Sequence, residues 1–256
     1  RRTSIKTRYI AGGQQMLRTD DETAILVNKN TEQRILKLAA TALNNYNVLV
    51  IADYAKGIFS AEVTKKLIIL AKKAKIPVIV DPQGNDYNRY KGADIVTPNR
   101  KELSLATGMP SNTDKQIKIA ANKLISDYNI KSILATRSGD GMTLINSNSF
   151  VTYAAEAQEI FDVSGAGDTV VATISASLSA GINLRQAVKL ANISAGIVVG
   201  KAGTAIAYAS DILETLENHK LQKSNNKILD MKLAINRVKV WRSQKLKIGF
   251  SNGCFD

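Results

Sequence analysis

Val48-Leu49-Val50-Ile51-Ala52-Asp53-Tyr54-Ala55-Lys56-Gly57 is a short apolar run that breaks into polar residues and a glycine. Four large aliphatic side chains in succession describe a strand buried on both faces, the habit of parallel sheets rather than of half-exposed antiparallel ones. The pattern recurs twice. Pro77 to Val80 runs into Asp81-Pro82-Gln83-Gly84, and Asp94 to Val96 runs into Thr97-Pro98-Asn99-Arg100-Lys101-Glu102. Helix patterns precede and separate these runs, Thr31 to Asn45 and then Ser60 to about Lys75, with Ser60 placed to cap the second. Strands alternating with helices predict an α/β fold around a mostly parallel sheet. Polar residues at three successive carboxyl ends predict ligands there, where open parallel sheets collect them.

Upstream, Ile5 to Ile10 and Gln14 to Asp20 read as two short strands around Ala11-Gly12-Gly13. Downstream, Thr113 to Asp127 reads as a helix and Ser132 to Ala135 as a strand. Thr136-Arg137-Ser138-Gly139-Asp140-Gly141 then opens a hairpin continuing through Met142 to Ile145 and Phe150 to Tyr153. Two helices rich in small residues follow, about Asp168 to Ala180 and Leu184 to Val199, able to pack closely. From Asp211 the character changes: Glu217 to Lys227 is a polar linker or exposed helix end, Met231 to Trp241 has helical spacing, and Lys247-Ile248-Gly249-Phe250 begins a new strand. The expected division is residues 1–216 as one domain, 217–244 as linker and connecting helix, and 245–256 as the first strand of another.

The 256 residues are 45% hydrophobic, enough for a substantial core. No apolar run is long enough to span a bilayer and the basic N-terminus has no signal-peptide core, so no membrane partner is expected and the cytoplasm is the default placement. Cys254 and His219 are the only residues of their types, which excludes disulfide frameworks, Cys/His zinc sites and Ser-His-Asp catalysis. A formal charge of +13 invites a nucleic-acid reading. The lysines, however, are spread singly or in pairs along helical patterns with few aromatics among them, a solvated surface that also attracts phosphorylated substrates. A basic nucleic-acid-binding module stays as the alternative of a different class, though no nucleic-acid partner is expected.

Phe161-Asp162-Val163-Ser164-Gly165-Ala166-Gly167-Asp168-Thr169 carries the chemistry. Two glycines around an alanine let successive amides face one small volume, and the helix that follows brings its N-terminal dipole to the same place, so the segment is built for an anion. Asp168 at the mouth of a phosphate cradle could accept the proton of an attacking hydroxyl, or be only an acidic first-turn residue. Asn99 and Glu102 stand three apart at a helix start. They could share a hydrated magnesium ion or simply form a capping box. Gly196 to Ala202 resembles a P-loop but is one residue short and lacks the Ser/Thr, so that reading fails.

N-R-K-E at Asn99 to Glu102, T-R-S-G-D-G at Thr136 to Gly141 and D-V-S-G-A-G-D-T at Asp162 to Thr169, in this order, resemble the ribokinase-like carbohydrate kinase family. Further motifs narrow the resemblance to bacterial heptose 7-phosphate kinases: D-Y-A-K-G at Asp53 to Gly57, V-D-P-Q-G-N-D-Y-x-R-Y at Val80 to Tyr90, and A-G-I-V-V-G-K-x-G-T at Ala195 to Thr204. Phe250 to Asp256 resembles the first strand and loop of a nucleotidyltransferase. The resemblance implies a three-layer α/β/α fold, ATP and Mg2+ as cofactors, a homodimer, and phosphorylation of heptose 7-phosphate at O1 on the way to ADP-heptose and lipopolysaccharide core. Another sugar or nucleoside is the alternative substrate.

By matching position it makes Asp168 the base and gives the anion hole to Gly165, Ala166 and Gly167. It places Asn99, Arg100, Lys101 and Glu102 at the ATP phosphates, Asn99 and Glu102 at magnesium through water, and Thr136, Gly139, Gly141 and Asn192 around the nucleotide. Asp53 and Lys56 could approach the sugar phosphate, or cap and pair at a strand end; Arg8 and Arg18 read as solvated strand arginines. The family's first strand and a Gly-Gly-rich substrate segment have no counterpart before Ile5, so the chain reads as an internal fragment lacking the N-terminal strands. Adenylyl transfer is not expected within it.

Overall fold

The computed structural model describes residues 2–12, 14–156, 162–201, 203, 205–223, 229 and 231–249. They fall into two compact units that divide between Ala207 and Tyr208. The first opens with an antiparallel ribbon, β1 (Ile5–Ala11) on β2 (Gln14–Asp21), which is a sheet of its own and sets Arg8 opposite Arg18. The glycine turn expected between them extends to Gly13, outside the described residues. Helix α1 (Lys29–Ala42) follows, capped by Asn28. Then come β3 (Leu49–Ala52), α2 (Ala61–Lys73) capped by Ser60, β4 (Val78–Asp81), β5 (Ile95–Val96), α3 (Arg100–Thr107), α4 (Asp114–Tyr128) and β6 (Ser132–Thr136). The hairpin β7 (Met142–Asn146) and β8 (Ser149–Tyr153) leads to α5 (Ala166–Ser179) and α6 (Leu184–Val199).

The main sheet has the order β3-β4-β5-β6-β7-β8, parallel through β6 and antiparallel across the hairpin. Side chains alternate across a strand, and the two cores divide accordingly. Val78, Val80, Val96, Ile133, Ala135 and Ile145 pack with Leu67 and Ile68 of α2, Leu103 of α3 and Ile117 and Leu124 of α4. Their neighbours Ile79, Ile95, Leu134 and Leu144 point the other way, onto Val170 and Ile174 of α5 and Val188 and Ala191 of α6. The result is three layers, as expected. The register of β3 on β4 pairs Ala52 with Asp81, so the loops after β3, β4, β5 and β6 leave the sheet on one edge, where α5 also begins.

The second unit contains α7 (Ala209–Lys223) and α8 (Met231–Ser243). Of the two readings of Glu217 to Lys227, residues 217–223 are helix and 224–227 lie outside the described residues. The strand expected from Lys247 is not formed over 247–249, and Phe250 to Asp256, with Cys254, lie outside the described residues. A strand exists by hydrogen bonding to a neighbour, and the described residues of this unit contain no other strand to pair with it.

Candidate active site

The start of α5 is built by a turn. Asp162 accepts from the Ser164 amide at 2.8 Å, and Val163 O accepts from the Ala166 amide at 3.3 Å. Gly165 sits at φ 80° and ψ 1° as the helix N-cap, a conformation that excludes ordinary side chains at little cost only to glycine. The first helical bond runs from the Thr169 amide to Gly165 O at 2.9 Å. Among the described residues the amides of Gly165, Gly167 and Asp168 therefore have no acceptor, the expected condition of a helix N-terminus and a ready anion site. The amide of Ala166 is the exception to the expected cradle, because closing the turn uses it. Backbone donation from Ser164, together with the positive Arg8, holds the Asp162 carboxyl below its usual range.

Two cavities meet at this turn. One of about 310 Å³ is lined by Asn99, Thr136, Gly139, Gly141, Ala166, Gly167 and Asn192 among others, so most residues expected around the nucleotide are gathered in it. Asn192 is 4% exposed and donates to Ala154 O at 2.6 Å, which fixes its helix against the cavity wall. The other cavity, of about 160 Å³, is lined by Asp81, Thr97, Asn99, Glu102, Thr136, Gly167 and Val170. Asn99, Thr136, Gly167 and Val170 belong to both.

Asn99 and Glu102 form a reciprocal capping box: Asn99 Oδ1 accepts from the Glu102 amide at 2.9 Å, and Glu102 Oε2 from the Asn99 amide at 2.8 Å. Capping and exposure to the small cavity are thus both realised. Burial pushes the Glu102 carboxyl above its ordinary value against the lowering effect of the Asn99 amide, with Asp81 adding repulsion. Asp81 is raised as well, by burial first and by the negative charge of Asp168 in addition, while the Thr97 hydroxyl donating at 3.1 Å opposes the shift. Neither Asp81 nor Thr97 was singled out in the sequence. The available signal was their place at the carboxyl ends of parallel strands.

Arg100 turns away from the cavities and pairs with Asp140 at 2.6 Å, tying α3 to the Thr136 to Gly141 loop. Lys101 is exposed and lines neither cavity. Asp53 is 3% exposed and accepts from the Tyr90 hydroxyl at 2.9 Å and the Ala55 amide at 3.0 Å, with Arg89 at 3.2 Å. Both oxygens of its carboxylate are engaged within the protein, the geometry that the capping and pairing reading describes. Lys56 pairs with Glu22 at the end of the ribbon. Between them stands another residue that the sequence reading passed over: the Tyr54 hydroxyl donates to Asp168 Oδ1 at 2.7 Å. This bond, then burial and the negative charges of Asp168 and Asp81, pushes the phenol up to about 12. Asp168 itself is exposed on the first turn of α5, next to Gly167, one of the residues that line both cavities.

Residues 2–211 match the family described as pfkB family carbohydrate kinase. The protein named bifunctional protein HldE in Rhodospirillum rubrum is 45% identical over 257 residues, an alignment covering 100% of this chain and 52% of that protein. Its namesake in Paramagnetospirillum magneticum is 46% identical, over 100% of this chain and 53% of that protein. The chain spans about half the length of the curated relatives it matches. Among solved structures, ribokinase from Giardia lamblia superposes with a TM-score of 0.69 at 18% identity, covering 85% of this chain and 72% of that one. Arabidopsis thaliana ribokinase complexed with ribose and ATP gives 0.63 at 22%, covering 78% and 65%. At these identities the likeness is one of fold, and the fold is ribokinase-like.

Proposed function

The chain belongs to the pfkB family of carbohydrate kinases, and from that premise we propose that it transfers the γ-phosphate of ATP to O1 of D-glycero-D-manno-heptose 7-phosphate. The observation that carries the proposal is the position of Asp168, exposed on the first turn of α5, beside free amides and next to Gly167, which lines both cavities. In the step we propose, Asp168 accepts the proton of the acceptor hydroxyl as its oxygen bonds to the γ-phosphorus. The bond from that phosphorus to the bridging oxygen breaks, and ADP leaves. The amides of Gly165, Gly167 and Asp168 hold the charge that spreads over the migrating group, which is most of what phosphoryl transfer asks of a protein.

The large cavity, with Thr136, Gly139, Gly141 and Asn192, is suited to the nucleotide. Two carboxylates border the small cavity, both raised first by burial, Glu102 also by the charge of Asp81 and Asp81 by that of Asp168, and they form a hard-oxygen set that suits magnesium. Glu102 and Asp81, with Asn99, would hold the ion through water, and it would supply neutralisation of phosphate charge. The choice of heptose 7-phosphate is supported by the relatives and by the D-Y-A-K-G and V-D-P-Q-G-N-D-Y-x-R-Y motifs. A protein of the relatives' length would join this reaction to adenylylation of heptose 1-phosphate. We further propose a homodimer, for which the exposed apolar residues Tyr9 and Leu17 of the ribbon offer surface.

Replacing Asp168 by Asn tests the assignment. The variant is expected to lose ATP-dependent phosphorylation of heptose 7-phosphate while still binding ATP by calorimetry; unchanged turnover would falsify the role of the carboxylate.

A further inference from the structure

Tyr54 is 53% exposed, yet its hydroxyl is placed with care. The loop that carries it is pinned on both sides. Before it, Asp53 is buried and bonded to Tyr90, Ala55 and Arg89. After it, Ala55 takes the left-handed region at φ 53°, and Gly57, at φ 77°, presses so close to the backbone of Ile25 that a Cβ would lie 2.2 Å from Ile25 O. The Val27 amide donates to Gly57 O at 2.9 Å, and Lys56 pairs with Glu22. A left-handed alanine and a glycine with no room for a side chain are conformations held by their surroundings. What the held loop delivers to the catalytic edge is one phenol hydroxyl, on an oxygen of a residue 114 positions away.

We propose that Tyr54 is a positioning residue for Asp168, fixing the carboxylate through Oδ1 so that Oδ2 is the oxygen that takes the acceptor's proton. This rests on the reading of Asp168 as the base. A carboxylate on a helix first turn turns about two side-chain bonds. One charge-assisted hydrogen bond at 2.7 Å selects among its orientations, and a base is effective only where its lone pair meets the proton. Among the described residues Asp168 Oδ2 has no partner. Tyr54 neither takes nor gives a proton in the step: it keeps its own while Oδ2 receives that of the acceptor.

The test compares wild type, Y54F and D168N in the full chain with ATP and heptose 7-phosphate. Y54F is expected to lower kcat by about tenfold, the usual scale for a hydrogen bond to a charged group, with the KM for ATP and the melting temperature unchanged. D168N inactive with Y54F at wild-type kcat overturns the inference and leaves the base assignment standing. D168N active overturns both. A second measurement decides the matter if Y54F is unstable: 13Cζ-tyrosine NMR of the wild type is expected to show Tyr54 titrating at about 12, and in D168N to show it returning toward the ordinary phenol value. A Tyr54 titration indifferent to D168N overturns the proposal.

Discussion

Glu102 shows how a single side chain can cap a helix at an electrostatic cost. Its carboxyl is raised chiefly by burial, as is that of Asp81 across the same cavity. For acids shifted in this direction, the stability they contribute is fully present below their unfolded pKa values and is lost as pH rises through the folded ones. Glu102→Gln keeps an oxygen to accept from the Asn99 amide and removes the charge. In metal-free protein we therefore expect it to melt higher than wild type at neutral pH, with the gap closing as the medium is made acidic, and to need more magnesium for turnover. Melting curves at several pH values with a metal titration check both parts; a variant less stable at neutral pH would contradict the account. The candidate residues legible at this scale were those whose type is demanded by backbone geometry or charge: Gly165, Gly167, Asn99, Glu102 and Asp168. Tyr54 was not legible, because nothing local marks a loop tyrosine as the partner of a residue so distant in sequence.

Helix α3 does three things at once. Its capping box closes its own N-terminus, its third residue enters the small cavity, and Arg100 clamps the Thr136 to Gly141 loop through Asp140. Asn99→Ala is expected to cost about 1 kcal/mol, the typical worth of such a cap, measured by urea unfolding. Asn99→Ser keeps a capping oxygen and should recover most of that stability. If Asn99 also serves the metal through water, Asn99→Ser will still raise the magnesium requirement, whereas a pure cap will leave it unchanged. The elements themselves were readable from periodicity and caps, as α2 behind Ser60 and α4 behind Thr113 illustrate. At Lys247 the expected strand is not formed over the described residues 247–249, since a strand depends on a partner that a local pattern does not contain.

At the scale of the whole molecule, the formal charge of +13 is distributed as a solvated surface, and its expected effect is on encounter. Raising ionic strength should lower kcat/KM for the sugar phosphate while leaving kcat nearly constant, because screening weakens long-range attraction and not the enclosed step; steady-state kinetics across a salt series measure this. By itself the residue pattern determined an α/β fold around a mostly parallel sheet, since the apolar runs of β4, β5 and β6 leave both faces of the sheet in need of cover, and the resemblance to the kinase family added the three-layer order. It also determined the open-amide start of α5, because Gly165 and the orphan amides of a helix terminus are local properties. Only the tertiary structure decided which side chains share the site: that Asp81 faces Glu102, that Asp53 is spent inside the protein, and that Tyr54 reaches Asp168. Those pairings follow from strand register and loop anchoring, which bring distant residues together by packing and leave no mark on the residues beside them.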